Sequence, residues 1–312
     1  MIFRTSKTVG ALVSIAVMVG TGLVDADEVF PDADRGDYPA IWERHGCRFG
    51  SVWIMGFDAL ARIRINDNSV FDIPMPDARS RWNSADIIAG EGAVWVPDAE
   101  HSVIYKIDPV SDQVVRKIAA DLTPHAESLG VGEGSIWAIC GEGDTLKRFD
   151  ATNGSEQAAI KLAARGLGVL VAFGAVWVTS PANDELYSID PVSNSVTATT
   201  DLSSRPRFMT ASEGSVWVFN DGDGSVQRID ATTGKVVASI PTGVPDKGTI
   251  TAGGGYVWAS TRPSPIIQID PQTNAVRGKY HVVIEEKYAT LRYGGGSLWL
   301  SGGSVRRIRA PE

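Results

Sequence analysis

The sequence predicts an all-β protein: a seven-bladed β-propeller of four-stranded antiparallel blades, its ring closed by an N-terminal strand that completes the last blade. Three observations carry this. Gly-x-Val-Trp or a close variant recurs with Trp53, Trp95, Trp137, Trp177, Trp217, Trp258 and Trp299, at intervals of 42, 42, 40, 40, 41 and 41 residues. Self-similarity at that period, rich in strand formers and glycine, signals stacked blades, which leave only short, protected sheet edges. An Ile-Asp or Phe-Asp follows most of these tryptophans, at Asp108, Asp150, Asp190, Asp230 and Asp270, each before a turn such as Pro-Val-Ser-Asp or Ala-Thr-Asn-Gly. Within one period, residues 215–219, 225–229 and 235–240 form three short apolar runs between polar turns. Three strands cannot bury both faces alone, so neighbouring repeats must cover them.

Each element follows from aligning the tryptophans. Strand a ends in Gly-Glu-Gly or Gly-Gly-Gly, as in 86–92 and 249–255. Strand b carries the tryptophan, strand c ends at the Ile-Asp, and strand d follows the turn, as in 113–118 and 235–240. Seven tryptophans in register fit inter-blade packing, because large aromatics dominate buried interfaces. The repeated aspartate can accept from N–H groups two residues on, an Asx-turn. After Trp299 comes strand c, 305–308, with no strand d before Glu312. Counting one period back from Trp53 lands on 30–35, and Glu28–Phe30 is the best strand-like run nearby. It is expected to supply the missing outer strand.

The first 26 residues read as a secretory signal. Arg4 and Lys7 make a basic start, 9–24 an apolar stretch short for a bilayer span, and Val24-Asp25-Ala26 a small-residue cleavage site. An uncleaved N-terminal anchor is the alternative. The expectation is that residues 27–312 form one propeller domain, periplasmic or secreted. Removing 1–26 takes away two basic residues and one acidic one, leaving 27 against 36 and a net charge of −9. That argues against nucleic-acid binding, which needs a positive face, and against adhesion to anionic membrane.

In such a ring the d-to-a and b-to-c loops open on one face around the channel. Counting about twelve residues before each tryptophan reads off its rim. Blade one gives Trp42, Glu43, Arg44 and His45; blade two Arg79, Arg81 and Trp82; blade three His125 and Glu127; blade four Arg165; blade five Arg205 and Arg207; blade six Asp246 and Lys247; blade seven Glu286 and Lys287. A net-acidic protein thus gathers basic side chains at one mouth. Such a ring would focus positive potential into a concave site and favour an anionic ligand held by Arg81, Arg165, Arg205, Arg207, Lys247 and Lys287. The competing reading is solvated loop charges, partly neutralised by Glu43, Glu127, Asp246 and Glu286.

Other candidates are sparser. His45, His101 and His125 could face the same mouth and ligate a divalent metal, and His125 or His45 with Glu127 could act as acid or base. No short-range ligand spacing supports a metal. Cys47 and Cys140 fall two blades apart, beyond the reach of a disulfide, so two separate buried thiols are expected. The run from Asn220 to Ser225 resembles the start of a calcium loop but has Thr232 where the twelfth-position glutamate belongs; a glycine-rich hairpin fits better.

The Gly-x-Val-Trp strands and the Ile-Asp-Pro and Ile-Asp-Ala-Thr-Thr-Gly turns resemble the YVTN-type and virginiamycin B lyase-like (streptogramin lyase) superfamily of seven-bladed propellers over about residues 40–312. The resemblance implies the fold. It places near this chain a magnesium-dependent lyase, lactone hydrolases and binding proteins of unassigned role. The lyase uses a histidine and glutamates over one face of the channel; no such pair maps onto this chain's later blades, and His281 falls at the end of blade six's outer strand. Three readings follow: an exported propeller that binds a small anion or a partner protein at the mouth; a metal-assisted lyase or lactone hydrolase; a scaffold without a ligand.

Overall fold

The structure, a computed structural model, describes residues 16–19, 22–25, 28–30, 45–55, 59–75, 87–123, 129–243, 248–261, 265–282, 290–301 and 305–311. It is a seven-bladed propeller of four-stranded antiparallel blades, with no helix among the described residues. Blade one is His45–Arg48, Ser51–Met55, Ala59–Arg64 and Val70–Pro74. Blade five, Pro206–Ser212, Ser215–Asn220, Ser225–Asp230 and Val236–Pro241, shows the common pattern.

Strand b is buried at every position in blade five (Ser215–Asn220), whereas the outermost strand of blade four, Ser195–Asp201, is exposed at nearly all of its positions. A strand covered on both sheet faces reads as a continuous apolar run, and a sheet edge does not. All seven repeat tryptophans are fully buried or nearly so. In blades two to seven the indole N–H donates to the carbonyl five residues back, for instance Trp95 to Gly90 at 3.0 Å and Trp299 to Gly294 at 3.0 Å. The polar tip is therefore satisfied while the ring fills the space between blades.

In blades one, two, three, five and seven the residue paired with the tryptophan on strand c is a cation that joins its blade to the next. Arg62, Lys106, Arg148, Arg228 and Arg307 lie 4.9–5.2 Å from the ring centroids of Trp53, Trp95, Trp137, Trp217 and Trp299, within cation–π range. Arg228 Nε donates to Ser215 at 2.8 Å, and its Nη1 crosses to the Pro271 carbonyl of blade six at 2.7 Å and to Asn274 at 3.0 Å. Arg62 does the same to Pro109 and Asp112 of blade two, and Arg148 to Pro191 and Asn194 of blade four. Lys106 reaches the Ala151 carbonyl of blade three. Arg307 of blade seven reaches Ile65 and Asn68 of blade one, each at 2.9 Å, so the first and last blades meet through the same device. Ser188 holds this position in blade four, opposite Trp177.

The repeated aspartates cap the c-to-d turns as expected. Asp150 accepts from the N–H groups of Thr152 and Asn153, and Asp230 from Thr232 and Thr233. These hydrogen bonds hold the Asp108, Asp150, Asp190 and Asp230 carboxyls below the usual carboxylate range. In blades two to six the c–d pairing shifts register by a bulge just after the residue opposite the tryptophan.

Glu28–Phe30 lies antiparallel to Val305–Arg309, with Glu28 opposite Arg307 and Phe30 opposite Val305, as the fourth strand of blade seven. Ala16–Val19 and Gly22–Asp25 form a hairpin that adds to the outer strand of blade six, Ala275–Val282, with Met18 opposite His281. This hairpin falls inside the segment read from sequence as a signal. No helix of the described residues is long and apolar enough to cross a membrane.

Candidate functional site at the channel mouth

The antiparallel path of each blade puts the a–b and c–d turns on one face of the ring and the d–a and b–c connections on the other. The predicted rim lies on the second face. Arg165, in the connection into strand a of blade four, is exposed and lies over Gly143 of blade three, where an added Cβ would stand 2.6 Å from its Cγ. Arg205 is exposed in the next connection. Its φ is +57°, a conformation uncommon for a long side chain. The other positive-φ non-glycine residues described sit in a–b, b–c and c–d turns. Arg205 is pinned on both sides: its N–H donates to Asp184 Oδ1 at 2.7 Å, and its carbonyl accepts from the Asp221 N–H at 3.0 Å.

Arg207, two residues on, is committed inward. Its Nη1 is 2.9 Å from Asp221 Oδ2, and the two side chains are only 13% and 2% exposed. Asp221 Oδ1 accepts from the Gly248 N–H of blade six at 3.3 Å, so this carboxylate also crosses a seam. Burial pushes the Asp221 carboxyl up, opposed by the hydrogen bond and charge of Arg207. The run from Asn220 to Ser225 is a tight b–c turn, as the hairpin reading expects. Asn220, fully buried, donates to Ser225 and Gln227 while its Oδ1 has no partner among the described residues.

His101 lies in the b–c turn of blade two. Its Nδ1 is 2.7 Å from Asp98 Oδ2, and its N–H donates to Asp98 Oδ1 at 3.0 Å. Asp98 is buried and the imidazole is 41% exposed. A buried carboxylate on one ring nitrogen fixes the orientation and tautomer of the ring. Cys140 is a buried free thiol, pushed up to about 12 by desolvation.

The rest of the predicted rim is Trp42, Glu43, Arg44, Arg79, Arg81, Trp82, His125, Glu127, Asp246, Lys247, Glu286 and Lys287. All of these lie outside the described residues, as do the side chains of His45 and Cys47. The backbone of His45 is in strand a of blade one, opposite Ile54. Among the described residues no group of three His, Cys, Asp or Glu side chains is placed to hold a metal ion. The structure thus brings Arg165, Arg205 and Arg207 to one sector of the mouth and sets His101 in another blade. Sequence reasoning missed Asp98, Asp184 and Asp221 as their partners. The available signal was an acid at the end of strand b or in the b–c turn.

No family model matches the chain, and no curated relative does either. Solved structures do match in fold. A streptogramin B lyase structure superposes with a TM-score of 0.76 at 16% identity, covering 94% of this chain and 97% of that one. Virginiamycin B lyase from Staphylococcus aureus superposes with a TM-score of 0.73 at 16% identity over 95% of this chain and all of that one. A chain of the mitotic checkpoint complex reaches 0.76 at 9% identity, covering 99% and 97%. The fold resemblance read from the repeats therefore holds, and it extends to a propeller that is part of a protein assembly.

Proposed function

We propose that the protein is an exported β-propeller that binds a small anionic ligand at the d–a/b–c face, in the sector of blades four and five. The observation that carries this reading is Arg205. A long cationic side chain is held exposed on a left-handed backbone that two hydrogen bonds pin in place. Strain of this kind costs on the order of 1–3 kcal/mol and clusters at ligand sites. Arg165 in the adjacent blade supplies a second exposed cation. Of the acids beside Arg205, Asp184 is engaged by the Arg205 N–H and Asp221 by Arg207 and Gly248.

Export rests on the basic, apolar and small-residue sequence of residues 1–26. A thermal-shift screen of residues 27–312 against anionic metabolites tests the reading, because a ligand of the native state raises the melting temperature by mass action. Shifts that disappear in both Arg205→Glu and Arg165→Glu are expected. Shifts unchanged in both variants refute the site.

The His101–Asp98 pair favours acid–base chemistry as a second reading, and lyases are among the solved structures that share the fold. It requires a rate on a streptogramin B that is pH-dependent and is lost in His101→Ala. A divalent cation would have to be held at least in part by side chains outside the described residues.

A further inference from the structure

On the opposite face of the ring the end of strand c departs from the repeat at one seam. In blades two to six strand c ends in aspartate, at Asp108, Asp150, Asp190, Asp230 and Asp270, and the c–d pairing carries a bulge. In blade one the same position is Arg64, and the register runs through without a shift. In blade seven it is Arg309. The middle residue of the a–b turn is glutamate in blades two, three and five, at Glu91, Glu133 and Glu213, each with φ between +49° and +55°. It is phenylalanine in blades one and four, Phe49 and Phe173 with φ +54° and +55°, and glycine in blades six and seven, Gly254 and Gly295 with φ +64° and +58°. The two blades that flank the ring's closing seam have thus exchanged the aspartate that ends strand c for arginine, and their a–b turns carry phenylalanine and glycine in place of glutamate.

A cavity of about 630 Å³ lies at this seam, lined among others by Phe49, Arg62, Arg64, Ile65, Gly294 and Gly295. That size suits a small organic ligand. Gly295 shapes it: a Cβ there would stand 2.3 Å from Ile65 Cγ2, so only glycine lets the two turns pack while leaving the space above them open. Phe49 is 41% exposed and presents its ring at the cavity. Arg62 is engaged with Ser51, Pro109 and Asp112. Arg64 stacks on Phe71 at 4.4 Å and makes no ion pair among the described residues. The acid it influences, Asp67, is taken up by the N–H and hydroxyl of Ser69 at 3.0 and 2.6 Å. The cavity therefore offers an aromatic and aliphatic wall, a bare glycine backbone, an immobilised guanidinium and no lining carboxylate.

We propose that this cavity is a second ligand site, on the face opposite the channel mouth, that takes a planar organic anion of the aromatic carboxylate class. The carboxylate would accept from the Arg64 guanidinium, whose fork suits bidentate pairing. The ring would lie against Phe49 and Ile65. The site is independent of the channel-mouth reading, because none of the residues that line it sits on that face.

The test is a calorimetric and ligand-detected NMR titration of the full chain with 1-naphthoate, beside its neutral analogue 1-naphthalenemethanol and inorganic phosphate alone. Arg64→Asp and Phe49→Glu each install a residue that other blades carry at the same turn position, so both are expected to keep the fold and melting temperature. Arg64→Gln, which keeps the length and removes the charge, serves if Arg64→Asp melts early. Arg165→Glu is the control on the other face. The expected result is binding of naphthoate that weakens at least about tenfold in Arg64→Asp and in Phe49→Glu, a loss in line with a hydrogen bond to a charged group. The neutral analogue should bind at least about tenfold more weakly, and Arg165→Glu should change nothing. Absence of naphthoate binding, equal affinity in the variants, equal affinity for the neutral analogue, or a loss in Arg165→Glu alone would each overturn the assignment.

Discussion

The two faces of the ring are built by different rules. On the face of the a–b and c–d turns one device recurs from blade to blade: an aspartate that closes its own turn, and a cation over the tryptophan that reaches the next blade's turn. On the other face each described connection is different. Blade two sets His101 on Asp98, blade three pairs Lys161 with Asp144, and blade five buries Arg207 against Asp221 while pinning Arg205. Repetition lies where neighbouring blades must fit in the same way, and variety where the chain crosses between sheets without such a constraint. The regular face loses the strand-c aspartate at the seam of blades seven and one, and the cavity is there.

The comparison can be broken or sharpened by experiment. Deleting residues 27–35 would remove the strand beside Val305–Arg309 and leave that edge unpaired. We propose that this strand latches the ring, so the deletion should lower the melting temperature more than any single side-chain change; an unchanged value refutes the latch. Asp221→Ala leaves Arg207 without its carboxylate in a mostly buried site. It should cost about 3–5 kcal/mol in denaturant unfolding, whereas Arg165→Ala on the same face should cost little.

On the regular face, Arg148→Ala removes hydrogen bonds to blade four and the contact with Trp137, and about 1–3 kcal/mol is expected. The seam of blades four and five lacks this clamp, since Ser188 lies opposite Trp177. Ser188→Lys should imitate Lys106, which reaches Ala151 in a turn of the same Asp-Ala-Thr form as that at Ala231. It is expected to raise stability by about 0.5–1 kcal/mol; a loss would show that this seam is closed by other means, such as the bond from Thr200 to the Gly234 carbonyl.

The smallest effect concerns pH. The turn aspartates have folded pKa values below their unfolded ones. Their contribution is therefore present above about pH 4 and lost as pH falls through the folded values. Replacing Asp150, Asp190 and Asp230 together by Asn, which still accepts from the turn, should flatten the acid limb of a melting-temperature profile. An unaltered limb would mean that acid sensitivity resides elsewhere.

Much of the fold was legible because a blade is a local object. The spacing of Trp53 to Trp299, the glycine-ended strand a and the Asx aspartates each report contacts within some forty residues of chain. The candidate site was legible only in outline. Arg165, Arg205 and Arg207 look alike as rim cations in the sequence. Whether each meets a ligand or a carboxylate depends on Asp184 and Asp221, which come from neighbouring connections and give no periodic signal. Arg62, Arg148, Arg228 and Arg307 drew no notice at all, because their partners lie a whole blade away or, for Arg307, at the other end of the chain.

The sequence by itself determined the number of blades, the strand order within each and the residues that cap the turns, since these follow from hydrophobic period and local hydrogen bonding. The tertiary structure alone decided which cations clamp a seam and which face solvent, and that the substitutions at Phe49, Arg64 and Gly295 converge on one cavity. The physical reason is that a side chain's charge is fixed by its type, but its partner is fixed by whichever blade the ring brings alongside.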